Sequence, residues 1–262
     1  MTRRKPFKSL STALVAAALL IAATATGSTG QQNQNRGVTN VVLVHGAWAD
    51  GSSWSKVIPL LAEKGLHVDA VQMPLTSQAD DVASVQRAIA RVDGRVLLVA
   101  HSYGGAVITQ AGNDPRVAGL VYVAAFAPAE GESPIQLTFD TLPPFLQNVQ
   151  PDQFGFLKLT EAGIRGDFAP DLSASEQTVL AATQGPTSIA SLSGVISTPA
   201  WHTKPSFFVI AAHDRVVLPT LQAMFAQRMN ATSITLSSSH VAMLSEPHAV
   251  ASFIRRAARD VQ

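Results

Sequence analysis

The chain has 262 residues, 47% of them hydrophobic, which is enough for one substantial core and indicates a single main domain. It contains no cysteine, which excludes a disulfide framework, a thiolate metal site and a lipid-modified N-terminal cysteine. Its 19 basic and 18 acidic residues give a net charge of +1, and no lysine- or arginine-rich run follows residue 25, which argues against a nucleic-acid partner.

Residues 1–25 have the pattern of a secretory signal peptide. Four basic residues among positions 3–8 precede the apolar run 13–23, and Ala23-Thr24-Ala25 matches a cleavage signal. The run is shorter than the ~20 residues of a membrane span. We therefore expect a secreted or periplasmic protein with no stable membrane span after signal removal. The pair Arg3-Arg4 also fits twin-arginine export, and the alternatives are an apolar N-terminal helix of the fold or a retained anchor.

Residues 26–37 are polar and lack apolar periodicity, which predicts a disordered leader. Strand and helix patterns then alternate, which predicts a mostly parallel sheet of about six strands covered by helices on both faces. The predicted strands are 40–45, 67–73, 95–100, 120–125, 206–212 and 233–236, and the predicted helices are 54–64, 81–92, 103–111, 223–229 and 249–258. Asp80 and Asp81 lie at the N-terminus of the second helix, where acidic side chains interact favourably with the helix dipole.

Residues 128–200 interrupt this alternation. The segment has no strand-like apolar run, and proline and glycine divide it into short pieces. Because a structureless loop of this length is uncommon in a compact domain, we predict a small, mostly helical insertion. The α/β core then comprises residues 38–127 and 201–262. The insertion would form a lid over the carboxyl ends of the strands, where open α/β sheets place their active sites.

The most informative motif is Ala100-His101-Ser102-Tyr103-Gly104-Gly105, which follows an apolar strand pattern and precedes a helix pattern. A serine at such a strand–turn–helix bend is held with its hydroxyl exposed, so Ser102 is a candidate nucleophile. Its hydroxyl is a weak nucleophile until a neighbouring base takes the proton. The rest of the chain must therefore supply that base.

Seven histidines are available as the base. Where a serine on such a bend is catalytic, an acid and then a histidine follow it along the chain. His240 comes just after the last predicted strand, and Asp214 follows a buried strand and precedes His240 by 26 residues. We therefore predict Asp214 as the acid and His240 as the base. Glu130 and Glu132 are the alternative acids, and Asp214 would then only form a turn or pair with Arg215.

Acyl transfer at Ser102 would also require N–H donors for the developing oxyanion. One candidate is the N–H of Tyr103, at the positive end of its helix. The second should come from the loop after the first strand, and we assign it to Ala47, with Trp48 as the second choice. We also expect Trp48 to line the substrate pocket. Further aromatic side chains are candidates for the pocket wall: Phe126, Phe145, Phe154 and Trp201.

Residues 38–262 resemble the α/β-hydrolase superfamily, and especially its small single-domain branch of plant methylesterases, hydroxynitrile lyases and bacterial esterases. The resemblance rests on four motifs in the expected order: Val-His-Gly-Ala-Trp at 44–48, Ala-His-Ser-Tyr-Gly-Gly at 100–105, Asp214, and Ser-His-Val-Ala-Met-Leu-Ser-Glu-Pro at 239–247. It implies the α/β-hydrolase fold and a catalytic triad of Ser102, Asp214 and His240.

Two features of the chain depart from the patterns of these relatives. Ala100 stands where the general bend pattern has glycine, but its small side chain preserves the tight turn. Hydroxynitrile lyases carry a hydroxyl residue after the first-strand histidine and a lysine after the catalytic histidine, whereas this chain has Gly46 and Val241. The resemblance therefore favours hydrolysis over a lyase reaction.

Together these patterns predict an exported serine hydrolase, and most simply a carboxylic ester hydrolase that forms an acyl-enzyme on Ser102. Its partner would be a small, apolar, ester-like molecule. No cofactor is implied, and no cluster of His, Asp or Glu has the spacing of a metal site. Two alternatives stay open: a ligand-binding protein that keeps the triad without turnover, and a lyase or perhydrolase with the same triad.

Overall fold

Six parallel strands form the central sheet of the computed structural model, which describes residues 38–261. The predicted signal peptide (1–25) and polar leader (26–37) lie outside the described residues. The strands, in chain order, are β1 (Asn40–Val44), β2 (His67–Ala70), β3 (Val96–His101), β4 (Val117–Val123), β5 (Val149–Pro151), β6 (Phe156–Leu159), β7 (Thr187–Ser188), β8 (Ser206–Ala211) and β9 (Thr232–Leu236). The α-helices are α1 (Ile58–Ala62), α2 (Gln78–Arg91), α3 (Gly104–Ala111), α4 (Pro134–Thr141), α5 (Glu161–Gly163), α6 (Ala174–Thr183), α7 (Ile189–Leu192), α8 (Pro219–Arg228), α9 (Ala242–Ser245) and α10 (Pro247–Asp260). Short 3-10 helices cover Gly51–Trp54, Pro144–Asn148 and Ala200–His202.

The strand order across the central sheet is β2-β1-β3-β4-β8-β9, and every neighbouring pair is parallel. Strands β3 and β4 lie in the middle of the sheet and are buried along their whole length. Helices α3 and α10 both pack against them. Strands that are covered by helices in this way have nearly continuous apolar sequences, which is why the sequence predicted both strands. The predicted α/β fold with a six-stranded parallel sheet is confirmed.

The long helices each bury one side against the rest of the fold. In α10, Val250, Phe253, Ile254 and Ala257 are buried at the spacing of successive helical turns. Helix α2 begins after Ser77, whose hydroxyl accepts a hydrogen bond from the Asp80 N–H. No helix among residues 38–261 is both long and apolar enough to cross a membrane.

The insertion between β4 and β8 is less helical than predicted. Besides α4 to α7 and a π-helix (Ile164–Phe168), it contains an antiparallel sheet of three short strands, β5-β6-β7. Strands of two to four residues are too short to produce an alternating apolar pattern, so the sequence did not reveal them. Contacts with the core support them instead. The Ser188 N–H donates to the Leu75 carbonyl (2.8 Å), and the Trp48 indole N–H donates to the Leu157 carbonyl (3.0 Å).

Two glycines allow the first turn of α3 to approach neighbouring backbone atoms. A Cβ atom at Gly104 would lie 2.5 Å from the carbonyl oxygen of His45, and one at Gly105 would overlap the carbonyl oxygen of Phe126. The obstructing atoms belong to the backbone and cannot move aside as the end of a side chain can. The absence of a side chain at these two glycines therefore allows the start of α3 to lie close to the carboxyl ends of β1 and β4.

We expect Gly105→Ala to lower the free energy of unfolding by about 2 kcal/mol or more, because the added methyl group overlaps the Phe126 carbonyl. Urea denaturation of the purified protein measures this change. Gly166→Ala is the matched control, since a Cβ at Gly166 meets no atom within 4 Å. Equal unfolding free energies for the two variants would contradict the proposed packing constraint.

Candidate active site

Ser102 lies at the bend between β3 and α3 in a left-handed backbone conformation, with φ of 52°. This conformation is uncommon for a residue with a side chain, and the surrounding structure must hold it in place. The Ser102 carbonyl accepts hydrogen bonds from the Gly105 N–H (3.0 Å) and the Phe126 N–H (3.1 Å). A Cβ at Gly46 would lie only 2.7 Å from the Ser102 Cβ, so the loop after β1 passes directly beside the serine.

His240 follows β9 and is fully buried. Its Nδ1–H donates to Asp214 Oδ2 at 2.7 Å. Its Nε2 is also buried and has no hydrogen-bond partner among the described residues. In the neutral ring with its proton on Nδ1, Nε2 keeps a free lone pair, which is the arrangement that a general base requires.

The bend that carries Ser102 is joined to the loop of His240 by a second buried histidine. His101 Nε2–H donates to the His240 carbonyl (2.9 Å), and the centres of the two imidazole rings are 4.5 Å apart. Burial lowers the pKa of His101 well below its ordinary value, and the neighbouring His240 lowers it further. His101 is therefore neutral, and it links the residue next to Ser102 with the predicted base.

Asp214 follows β8 and is buried. Its Oδ1 accepts the N–H groups of Val216 (2.7 Å) and Val217 (3.0 Å), while its Oδ2 accepts the side-chain N–H of Gln222 (2.8 Å) and the Nδ1–H of His240. Four donors converge on this carboxylate, so both its position and the direction of its oxygens are tightly constrained. The structure thus brings Asp214 and His240 together.

The alternative acids lie elsewhere. Glu132 forms an ion pair with Arg228, with N–O distances of 2.9 and 3.0 Å, and its carboxylate also accepts the Ala129 N–H. Glu130 is exposed. Neither of them forms a hydrogen bond with a histidine in the described part of the chain. Arg215 pairs with Asp167 of the insertion rather than with Asp214.

The other histidines occupy different environments. His45 is buried beside the bend, where its Nε2 accepts the Met73 N–H (3.0 Å) and its Nδ1–H donates to the Gly46 carbonyl (2.8 Å). Burial lowers the pKa of His45, which favours the neutral ring that these two bonds require. The remaining four histidines are exposed: His67, His202, His213 and His248.

Ala47 and Tyr103, whose N–H groups are assigned as oxyanion donors, both line the cavity that contains Ser102. Within residues 38–261, neither the Ala47 N–H nor the Tyr103 N–H donates a hydrogen bond, so both are available to a ligand atom. The Trp48 N–H, the second choice, instead donates to Thr187 Oγ1 at 3.0 Å. Of the two candidates on this loop, only Ala47 has a free donor.

A cavity of about 420 Å³ extends from Ser102 under the insertion. Its wall contains no charged residue, and its polar side chains are the hydroxyl-bearing Ser102, Tyr103 and Thr138. The complete lining is Ala47, Trp48, Ser102, Tyr103, Phe126, Pro134, Ile135, Thr138, Phe139, Phe145, Leu146, Val149, Pro151, Leu157, Ile189, Leu192 and Val216. The site can therefore hold an uncharged apolar molecule next to the serine hydroxyl.

Three of the five aromatic residues that the sequence suggested for the pocket do line it: Trp48, Phe126 and Phe145. Trp48 has a positive φ of 57°, and its ring packs edge-on against Phe145 with ring centres 5.7 Å apart. Phe154 is 76% exposed and lies outside the cavity. Trp201 is buried away from the cavity, where its indole N–H donates to the Pro128 carbonyl.

Three residues of the insertion contact the loops of Asp214 and His240, and no sequence pattern indicated them. The Phe168 ring packs against the His240 ring with centres 5.1 Å apart. The Asp171 carboxylate accepts both the backbone N–H and the hydroxyl of Ser239, the residue before His240. Asp167 completes this set through its ion pair with Arg215, next to Asp214. These three residues lie in a part of the insertion that has no periodic apolar pattern. The sequence therefore did not predict which way their side chains point.

Asp81 is another contributor whose role the sequence did not reveal. Its carboxylate is fully buried and accepts the Tyr103 hydroxyl (2.7 Å) and the Leu75 N–H (2.9 Å). Burial raises the pKa of both Asp81 and Tyr103 above their ordinary values. The helix-dipole position predicted for Asp81 is thus only part of its role, because its side chain anchors a residue of the bend.

No cluster of three or more His, Asp or Glu side chains within the described ranges could hold a metal ion.

Comparison with known proteins gives a match to the alpha/beta hydrolase family over residues 41–253. A pyrethroid hydrolase of Sphingobium wenxiniae is 34% identical over 110 residues, which are 37% of this chain and 39% of that protein. A carbendazim hydrolyzing esterase of a Nocardioides species is 33% identical over 123 residues, or 41% of this chain and 50% of that protein. The matched segments thus span half or less of these two relatives.

Solved structures resemble the chain over most of its length. A pyrethroid hydrolase structure covers 84% of this chain and 98% of its own, with a TM-score of 0.73 and 24% identity. The structure of polyneuridine aldehyde esterase covers 84% of this chain and 99% of its own, with a TM-score of 0.73 and 18% identity. At these identities the similarity establishes the fold.

Proposed function

Because the chain belongs to the alpha/beta hydrolase family, we propose that it is a serine hydrolase that cleaves carboxylic esters through an acyl-enzyme on Ser102. The observation that carries this proposal is the buried Asp214–His240 pair, whose imidazole has a free Nε2 and whose loop is bonded to the bend of Ser102. The names of the two curated relatives, a pyrethroid hydrolase and a carbendazim hydrolyzing esterase, support hydrolysis of a small molecule.

In the proposed reaction, His240 Nε2 accepts the Ser102 proton as the serine oxygen attacks the ester carbonyl carbon. The Asp214 carboxylate stabilises the resulting imidazolium through the Nδ1–H bond. Collapse of the tetrahedral intermediate breaks the bond to the leaving alcohol, which takes the proton from Nε2. Water then enters, gives a proton to the same nitrogen, and attacks the acyl-enzyme to release the carboxylic acid and restore the serine.

The oxyanion of each tetrahedral intermediate would accept hydrogen bonds from the N–H groups of Ala47 and Tyr103. Neither group donates a hydrogen bond within residues 38–261, and both residues line the cavity beside Ser102. The Tyr103 N–H also lies at the first turn of α3, where the helix dipole favours negative charge. Each such donor typically contributes roughly 10²–10³ in rate, so the pair is a major part of the proposed mechanism.

The uncharged, mostly apolar lining of the cavity favours an uncharged apolar ester as the substrate. A carboxylate or ammonium group bound there would lose its hydration without gaining a charged partner from the lining. The volume of about 420 Å³ lies within the usual range for small-molecule sites.

We expect Ser102→Ala to lower kcat for a short-chain nitrophenyl ester by roughly 10⁶-fold, because the nucleophile is lost. Steady-state hydrolysis and covalent labelling with a fluorophosphonate measure the change, and thermal unfolding verifies the fold. Ser197→Ala, at an exposed serine, is the matched control and should keep full activity. Retained hydrolysis in Ser102→Ala, or wild-type protein that the fluorophosphonate does not label, would contradict the proposal.

The acid is tested by a pair of isosteric changes. Asp214→Asn should lower kcat by about 10⁴-fold, since an amide cannot stabilise the imidazolium and favours the wrong tautomer. Glu132→Gln makes the same change at an acid that pairs with Arg228, and kcat should stay close to the wild-type value. A large loss in Glu132→Gln together with an active Asp214→Asn would reverse the assignment.

We also propose that residues 1–25 direct export and are then removed, on the support of their sequence pattern. Cleavage after Ala25 gives a mature chain that begins at Thr26. N-terminal sequencing of the protein recovered from the extracytoplasmic fraction measures this directly. A full-length chain that stays in the cytoplasm would overturn the proposal.

A further inference from the structure

Gln222 is a fully buried amide side chain on α8, and its side-chain hydrogen bonds all go to Asp214 or to backbone groups near it. Its Nε2 donates to Asp214 Oδ2 at 2.8 Å and to the Val217 carbonyl at 2.6 Å. Its Oε1 accepts the Ala211 N–H at 2.9 Å. One amide thus joins the end of β8, the carboxylate of Asp214 and the loop that leads from Asp214 into α8.

The contact with Asp214 is made at the oxygen that matters for the imidazole. The two backbone donors, Val216 and Val217, bind Oδ1, whereas Oδ2 is shared between Gln222 and His240. A second donor on Oδ2 limits rotation of the carboxylate. This donor also interacts with the negative charge of Oδ2, which would otherwise interact with the imidazole alone.

The helix that carries Gln222 is packed into the core, since its residues Leu221 and Phe225 are buried. Gln222 itself does not line the cavity beside Ser102. It therefore has no direct route to the substrate, and any effect on the reaction must pass through Asp214.

We propose that Gln222 is a positioning residue, which orients the Asp214 carboxylate toward His240 and shares the charge on its Oδ2. The inference rests on the proposed function, since Asp214 and His240 are the acid and base of that reaction. If the Gln222 amide served only to stabilise the fold, replacing it would not change how the His240 imidazole responds to pH.

Other charged or titratable groups lie on or next to the loops of His240 and Asp214, and they could also affect the pH response of the imidazole. His101 contacts its ring, and Asp171 binds the preceding Ser239. Arg215, next to Asp214, is paired with Asp167. None of these groups binds Gln222 within the described residues, so a change confined to Gln222 reaches the imidazole through Asp214.

The test compares Gln222→Met with Gln227→Met, which makes the same substitution at an exposed position of α8. For a nitrophenyl ester we expect Gln222→Met to lower kcat by about 10-fold, the typical effect of losing a hydrogen bond to a charged group. KM should stay unchanged because Gln222 does not border the cavity. The acid limb of the pH profile of kcat/KM should move to higher pH, since the undivided charge of Oδ2 then favours the imidazolium. Gln227→Met should match the wild type in all three.

A second readout requires no turnover. The proton between His240 Nδ1 and Asp214 Oδ2 should give a far-downfield ¹H NMR resonance, which Gln222→Met should displace and Gln227→Met should not. An unmoved acid limb together with an unmoved resonance would overturn the proposal, even if kcat falls. Wild-type protein that shows the resonance but hydrolyses no ester would refute the proposed function instead, and the resonance would still decide the role of Gln222.

Gln222→Glu carries the test if the methionine variant does not fold. A protonated glutamic acid keeps an O–H donor for Asp214 and an acceptor for Ala211, whereas its ionised form places a second carboxylate against Oδ2. We expect activity near that of the wild type at acidic pH and a loss as pH rises that Gln227→Glu does not show. Parallel pH profiles for the two glutamate variants would refute a positioning role.

Discussion

The close approach of three backbone segments at Ser102 is the constraint on which the candidate site depends. The loop after β1, the bend before α3 and the chain after β4 meet at distances that leave no room for a Cβ at Gly46, Gly104 or Gly105. This contact holds the serine in its left-handed conformation. It also brings the free N–H of Ala47 beside the cavity that contains the serine. The candidate nucleophile and both candidate oxyanion donors thus depend on the same packing.

The insertion contributes to the site as a support as well as a cover. Its residues Asp167, Phe168 and Asp171 contact the loops that carry Asp214 and His240. An opening of this part of the insertion would break an ion pair and expose the His240 ring. The exposed members of the cavity lining, Phe139, Pro151 and Ile189, lie on other elements of the insertion, namely α4, β5 and α7. Access to the cavity past these side chains would leave the contacts near His240 in place.

The elements that the sequence predicted well are those with a periodic or local signal. Strands β3 and β4 are long apolar runs, and the bend at Ser102 combines a strand end with two glycines, so the sheet and the serine could be placed. The short strands β5 to β7 have no comparable pattern, because their pairing depends on distant contacts such as that of Trp48 with Leu157. The roles of Ser102, Asp214 and His240 stay predictions, although the latter two lie within hydrogen-bonding distance.

Two polar residues that no motif marks lie on buried helix faces and contact the candidate site. Asp81 lies on the buried side of α2 with Val85 and Ala88, and Gln222 lies on that of α8 with Phe225. A polar group at such a position is costly unless it is hydrogen-bonded, so its presence indicates a buried partner. In this fold both partners belong to the candidate site: Asp81 accepts the Tyr103 hydroxyl, and Gln222 donates to Asp214. At these two positions, a polar residue on an otherwise apolar helix face thus marks a contact with the candidate site, even though no motif surrounds it.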